Sequence, residues 1–211
     1  MDAAKAQEYL DLAESLDGYL AACKASDVNR KARVFCQNHA WSDQSSAPSV
    51  KGATVIILPS SAEGGMPHTR AGNLICIPVY HPIEKLPETL AHELVHIDQR
   101  NRPDVWRKRL LEEGWSPVEE SELPSPWVQR CRLNPDTMAA RWWAWEGRYV
   151  PLPVFIREDK PELREVEIRW YDRKEERVGT QIPMTLTQRY GGLGSASLEH
   201  PYELFAYSKS K

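Results

Sequence analysis

Apolar residues recur along this chain with a period near 3.6 in some stretches and near 2 in others. Between Ala3 and Cys23, the residues Tyr9, Leu12, Ala13, Leu16, Leu20 and Cys23 fall at helical spacing. They predict an amphipathic helix with Gly18 as its weak point. From Trp41 to Gly52 the chain is rich in Ser, Gln and Pro and reads as a loop. The short β-branched runs Thr54 to Leu58 and Asn73 to Ile77 stop at Pro59 and Pro78 and predict two strands. A loop containing Gly64, Gly65 and Pro67 joins them. The most regular helical pattern spans Pro87 to Asn101, with Pro87 suited to a first turn and Pro103 limiting the far end. Leu90, Ala91, Leu94, Val95 and Ile97 share one arc, opposite Glu88, Thr89, His92, Glu93, His96, Gln99 and Arg100.

A second helix is expected from Asp104 to about Glu113, followed by a proline-rich link through Pro117, Pro124 and Pro126. The region from Arg141 to Val178 reads as antiparallel strands. Val150, Leu152, Val154 and Ile156 alternate with Pro151 and Pro153, and prolines in that phase point to an edge strand. Further on, Val166, Ile168 and Trp170 face one way, and Glu165, Glu167 and Arg169 form a solvated face. A glycine-rich loop from Gly191 to Gly194 precedes a short closing helix, Pro201 to Lys209. Together these elements give one α+β domain over residues 1–211, with a β-rich insertion at about 140–182 and a C-terminal helix. Trp142, Trp143 and Trp145 are expected to fill the core, since each buries a large apolar area.

Charge narrows the function. The chain has 27 Lys plus Arg against 30 Asp plus Glu, a formal charge of −3. Without a basic excess, no nucleic-acid partner is expected. The longest stretch free of charged residues, Ala71 to Ile83, has 13 residues and is broken by prolines. That is too short to span a bilayer, so no membrane association is expected. The start of the chain lacks the apolar core of a secretory signal. Cys23, Cys36, Cys76 and Cys131 are scattered and read as reduced thiols. An intracellular, cytoplasmic protein is the expectation.

The chemistry is concentrated in His92-Glu93-Leu94-Val95-His96, an H-E-x-x-H. On a helix, positions i and i+4 project to one side, so both imidazoles reach a single metal ion. Glu93 then lies close enough to act on metal-bound water as general base and acid. Random placement of the six histidines and twenty glutamates would give roughly 0.016 such motifs in the whole chain. The bland alternative is a solvated polar stripe with both histidines exposed. The helical context favours the metal site.

These five residues resemble the active-site helix of the zincin metallopeptidases. The resemblance implies a zincin-like helix packed on a small mixed sheet, Zn²⁺ bound by His92 and His96, and a peptide or protein substrate. Such a family often binds extended substrate along a strand near that helix, and Asn73 to Ile77 is the counterpart here. The longer metzincin motif is absent, because Gln99 and Arg102 stand where it needs Gly and His. A third ligand must come from elsewhere. As in gluzincins, which use a Glu on a later helix, the preferred donor is Glu203 within Glu199 to Tyr207. That segment is also loosely similar to uncharacterised H-E-x-x-H proteins of large DNA viruses and algae. Glu203 would equally suit the third position of a helix capped at His200. Glu146, His200 and Asp136 are the other ligand candidates.

A stabiliser for a developing oxyanion is sought among His200, Tyr202, Tyr207 and Tyr190, with His200 and Tyr207 preferred. His68 reads as an ordinary surface histidine. The expected activity is therefore zinc-dependent peptide hydrolysis with Glu-assisted attack of zinc-bound water. Its alternatives are a non-catalytic zincin-fold binding module and a zinc hydrolase acting on a non-peptide bond. Mn²⁺, Co²⁺ or Ni²⁺ would suit the same ligands in vitro.

Overall fold

The computed structural model describes residues 3–35, 49–58, 62–191 and 194–209. Most of the expected loop at 41–52, and Cys36, lie outside them. The first helical stretch divides into α1 (Ala3–Asp17) and α2 (Tyr19–Ala25), because Gly18 takes a left-handed conformation at φ 59°. A third helix, α3 (Asp27–Phe35), follows.

A small mixed sheet comes next, built from β1 (Ser49–Val50), β2 (Ala53–Leu58), β3 (His68–Arg70) and β4 (Leu74–Pro78) in the order β1-β2-β4-β3. β2 and β4, the two expected strands, run parallel, and β3 pairs antiparallel with β4. The expected substrate strand is thus corrected. β4 is interior, and the edge beside it belongs to β3, whose His-Thr-Arg sequence carries no alternation that would announce a strand.

This sheet is covered on both faces. Ala6, Leu10 and Ala13 of α1 pack on Ile56, Leu58, Leu74 and Cys76. The opposite side chains, Val55, Ile75 and Ile77, meet Leu90, Leu94 and Ile97 of α4 (Leu86–Asn101). The alternation along β2 and β4 sends successive side chains to the two layers, so apart from Thr54 both runs are apolar. Since α1 lies on the face away from α4, it does not cover the histidines.

After α5 (Pro103–Glu113), Gly114 at φ 100° closes the helix and turns the chain into β5 (Trp115–Pro117). A short α6 (Ser125–Val128) precedes β6 (Trp143–Trp145), β7 (Tyr149–Phe155), β8 (Val166–Asp172) and β9 (Arg177–Gly179). β5 to β9 form an antiparallel sheet in sequential order, so that sheet starts ahead of residue 140. The chain ends with α7 (Met184–Tyr190), which the sequence reading missed, and α8 (Pro201–Lys209), at its expected bounds. The class is α+β.

β7 is flanked on both sides rather than standing at an edge, yet the proline argument survives in part. Beyond Trp145↔Tyr149 its partner on that side is the irregular segment 130–132, where Pro153 O accepts the Arg132 N–H and Phe155 N–H donates to Arg130 O. The prolines face this broken ladder. The full seven-residue pairing with β8 uses the other side. Trp143 and Trp145 join Trp106, Trp115 and Trp170 in a core under α8, and Trp142 lies in the core on the other side of the sheet. Cys23, Cys76 and Cys131 are buried and unbridged. Among the described residues, no helix is long and apolar enough to cross a membrane.

Candidate metal centre

α4 packs against α8 between the two sheets. Its apolar arc is split. Leu90, Leu94 and Ile97 face the mixed sheet, Val95 joins the tryptophan core, and Ala91 is exposed. Beyond Glu88, which is exposed, the polar arc is not solvated. Glu93 is 3 % exposed, His96 1 % and Gln99 1 %, and His92 is partly buried. Burying such groups is costly unless each finds a partner.

For His92, His96 and Gln99, partners come from α8. His92 Nε2 and His96 Nε2 stand 3.0 Å apart, and Glu203 Oε2 lies 3.3 Å from the first and 3.5 Å from the second. His92, His96 and Glu203 thus offer three ligand atoms to one point. His96 and Glu203 are held from behind. His96 Nδ1 meets Gln99 Oε1 at 2.7 Å, and an amide oxygen only accepts, so Nδ1 carries the proton and Nε2 faces the cluster. Gln99 Nε2 donates to Tyr202 O, tying α4 to α8. Glu203 Oε1 accepts from Asn134 Nδ2 at 2.9 Å, leaving Oε2 toward the imidazoles. The same amide reaches Glu199 at 3.0 Å, and Glu199 is paired with Arg132. The supporting roles of Gln99, Asn134 and Glu199 escaped the sequence reading, since nothing local marks a contact such as that of Asn134 with Glu203, 69 positions away.

These contacts decide the protonation. Burial opposes charge on His96, but Glu203, then Asp136 and Glu93, draw its pKa up to about 10. Burial would raise Glu203, and the facing imidazoles hold it well below the usual carboxylate range. Glu93 is driven up, first by burial and then by Asp136, and its Oε2 has no hydrogen-bond partner among the described residues. A cation bound here would compete with the proton that the raised pKa of His96 favours.

The cluster opens on a cleft of about 600 Å³, walled by α4 on one side and by β8 and residues 132–136 on the other. Of the four candidate stabilisers, Tyr207 lines it, with its ring edge-on to His92 at 4.5 Å. Burial, followed by Glu203, Glu93 and Glu199, pushes the Tyr207 phenol up to about 12, so it remains a donor. Tyr202 and Tyr190 pack in the tryptophan core. His68 is corrected from the surface to the interior. It is 4 % exposed on β3 and lines the cleft, with Nδ1 on Met66 O. Asp136 also lines the cleft, grouped with Glu93 and His96. Glu146 does not approach, being the turn residue at φ 52° whose carboxylate accepts from Thr185.

His200 is corrected as well. It lies outside the cleft, where Nε2–H donates to Ala140 O at 2.7 Å and Nδ1 accepts the Tyr202 N–H at 3.0 Å, capping α8. Burial depresses its pKa to about 4. The fold therefore binds neutral His200. Its contribution is complete above the unfolded value near 6.5 and falls as pH drops toward 4, by on the order of 3 kcal/mol. Urea denaturation at pH 7 and pH 4.5 is expected to show this loss, and His200→Gln is expected to shrink it.

Comparison with known proteins gives no match. No family model, curated protein or solved structure is similar to this chain. The site must be read from its own residues.

Proposed function

We propose that this protein is a zincin-like, metal-dependent peptidase in which His92, His96 and Glu203 hold one divalent cation and Glu93 moves the proton. One observation carries the reading: the three ligand atoms form a triangle with sides of 3.0, 3.3 and 3.5 Å. One face of a tetrahedron with metal–ligand bonds of about 2.0–2.1 Å has edges of about 3.3–3.4 Å, so the triangle is the right size for zinc. Two imidazoles and a carboxylate are also the donor set of hydrolytic zinc sites, which keep a fourth position open.

A cation so held would lower the pKa of a coordinated water and polarise a substrate carbonyl. The rest falls to the chain's own side chains. Glu93, within 4.8 Å of His96 and buried, would take the proton from the attacking water and return it to the leaving amine. Tyr207 would donate to the oxyanion of the addition intermediate. Gln99 and Asn134 would keep the ligand atoms aimed at one point. The tryptophans support the site from the core and take no part in it.

The test is hydrolysis of a broad peptide mixture by zinc-loaded protein, with chelated protein as the blank. Cleavage that disappears with chelation and returns with zinc is expected, and its absence from fully loaded protein would refute the peptidase. Asn134→Ala is expected to weaken metal affinity by about 10–100-fold, because Glu203 loses the bond that turns Oε2 inward. Competition with a zinc-sensitive dye checks this.

A further inference from the structure

We infer that the cleft takes the free amino end of a chain, with its α-ammonium received by Asp136. This rests on the peptidase reading above. β3 is one edge of the mixed sheet. The N–H at its centre, that of Thr69, points away from β4 and is already taken. Asp136 Oδ1 accepts it at 2.6 Å and accepts the Thr69 hydroxyl at 2.5 Å. Asp136 thus stands where the carbonyl of an added strand would have to lie. The block is braced: Arg100 donates to Pro135 O at 3.2 Å and to Thr69 Oγ1 at 3.1 Å, and Asn134 Oδ1 accepts the Asp136 N–H. A substrate chain cannot run past this point along the edge.

A chain that stops there stops with its amino end. A terminal carboxylate would meet Asp136 and Glu93, whereas an ammonium finds acceptors. Asp136 Oδ2 accepts no hydrogen bond among the described residues. Glu93, nine-tenths buried and more, lines the same cleft with Oε2 unpartnered. His68 is close by and interacts electrostatically with Asp136, but its Nδ1 is engaged by Met66 O and no hydrogen bond joins it to Asp136, whose Oδ2 stays open to an incoming donor. The reach also fits. Within one residue the amino nitrogen and carbonyl carbon are two bonds, about 2.5 Å, apart. The ligand atoms of Glu93, His96 and Asp136 lie within 4.8 Å of one another. A carbonyl beside Glu93 and the histidines therefore sets its own residue's nitrogen against Asp136. A lysine ammonium, six bonds from its carbonyl carbon, does not match that spacing.

The experiment uses the full chain loaded with zinc and three peptides: one with a free amino terminus, the same peptide N-acetylated, and an N-acetylated peptide with an internal lysine. Expected is release of the first residue from the free peptide, with acetylation lowering kcat/KM at least about a hundredfold. Asp136→Asn keeps an acceptor for Thr69 and is expected to collapse the ratio between free and acetylated peptides by tenfold or more. Equal cleavage of both by the wild type would overturn the inference and leave the peptidase reading standing. An unchanged ratio in Asp136→Asn would overturn the role of Asp136, and cleavage of the acetylated peptide beside lysine would overturn the choice of α-ammonium. Turnover of none of the three would overturn the peptidase reading and this inference with it. The wild-type comparison stands even if the variant does not fold.

Discussion

Replacing Glu93 with Gln is expected to lower peptide turnover by about two to four orders of magnitude while the protein keeps its metal. Gln has the same shape and cannot accept a proton from water. The ligand triangle is made by His92, His96 and Glu203 alone, so metal content should not change. A second effect runs the opposite way. Glu93 is a buried carboxylate whose Oε2 has no partner among the described residues, and burial raises its pKa. The neutral amide relieves that cost and is expected to stabilise the metal-free protein by about 1–3 kcal/mol. Activity lost while stability rises is the mark of a group kept for chemistry. Kinetics beside urea denaturation would reveal it, and a variant that lost both would make Glu93 structural.

The second large effect is expected at Glu203. In Glu203→Ala the triangle loses a corner, and Asn134 and the imidazoles lose their shared acceptor. Metal affinity is expected to fall by more than the roughly 10–100-fold typical of supporting residues. The metal-free fold suffers too, because His96 is fully enclosed and owes its raised pKa chiefly to Glu203. Removing one partner of such a pair costs about 3–5 kcal/mol. Glu203→Gln keeps the volume and an acceptor for Asn134, so it should fold better than Glu203→Ala and still bind metal poorly. Dialysis against zinc, with denaturation of the chelated variants, separates the two losses.

The parts of this arrangement that a linear reading reaches are those with a local signature. α4 and α8 announce themselves through helical spacing and prolines near their starts, and the pairing of His92 with His96 follows from one helical turn. Glu203 was within reach because a helix position and a known ligand type coincide. What escapes is set by neighbours distant in sequence. β3 is three polar residues that become a strand only against β4, and this buries His68. β5 is a strand because Trp145, 30 residues on, pairs with Trp115. His200 shares chemistry with a catalytic histidine, yet the Ala140 carbonyl and the Tyr202 amide claim both its nitrogens. Asp136 offers no motif, and its place emerges only once Thr69 lies beside it.

X-ray absorption of the zinc-loaded protein tests the central claim most directly. The account predicts one ion per chain with two imidazoles and one carboxylate at about 2.0–2.2 Å, and an imidazole signal that falls in His96→Ala. A shell of oxygens alone, or one that stays the same in His96→Ala and Glu203→Ala, would contradict it.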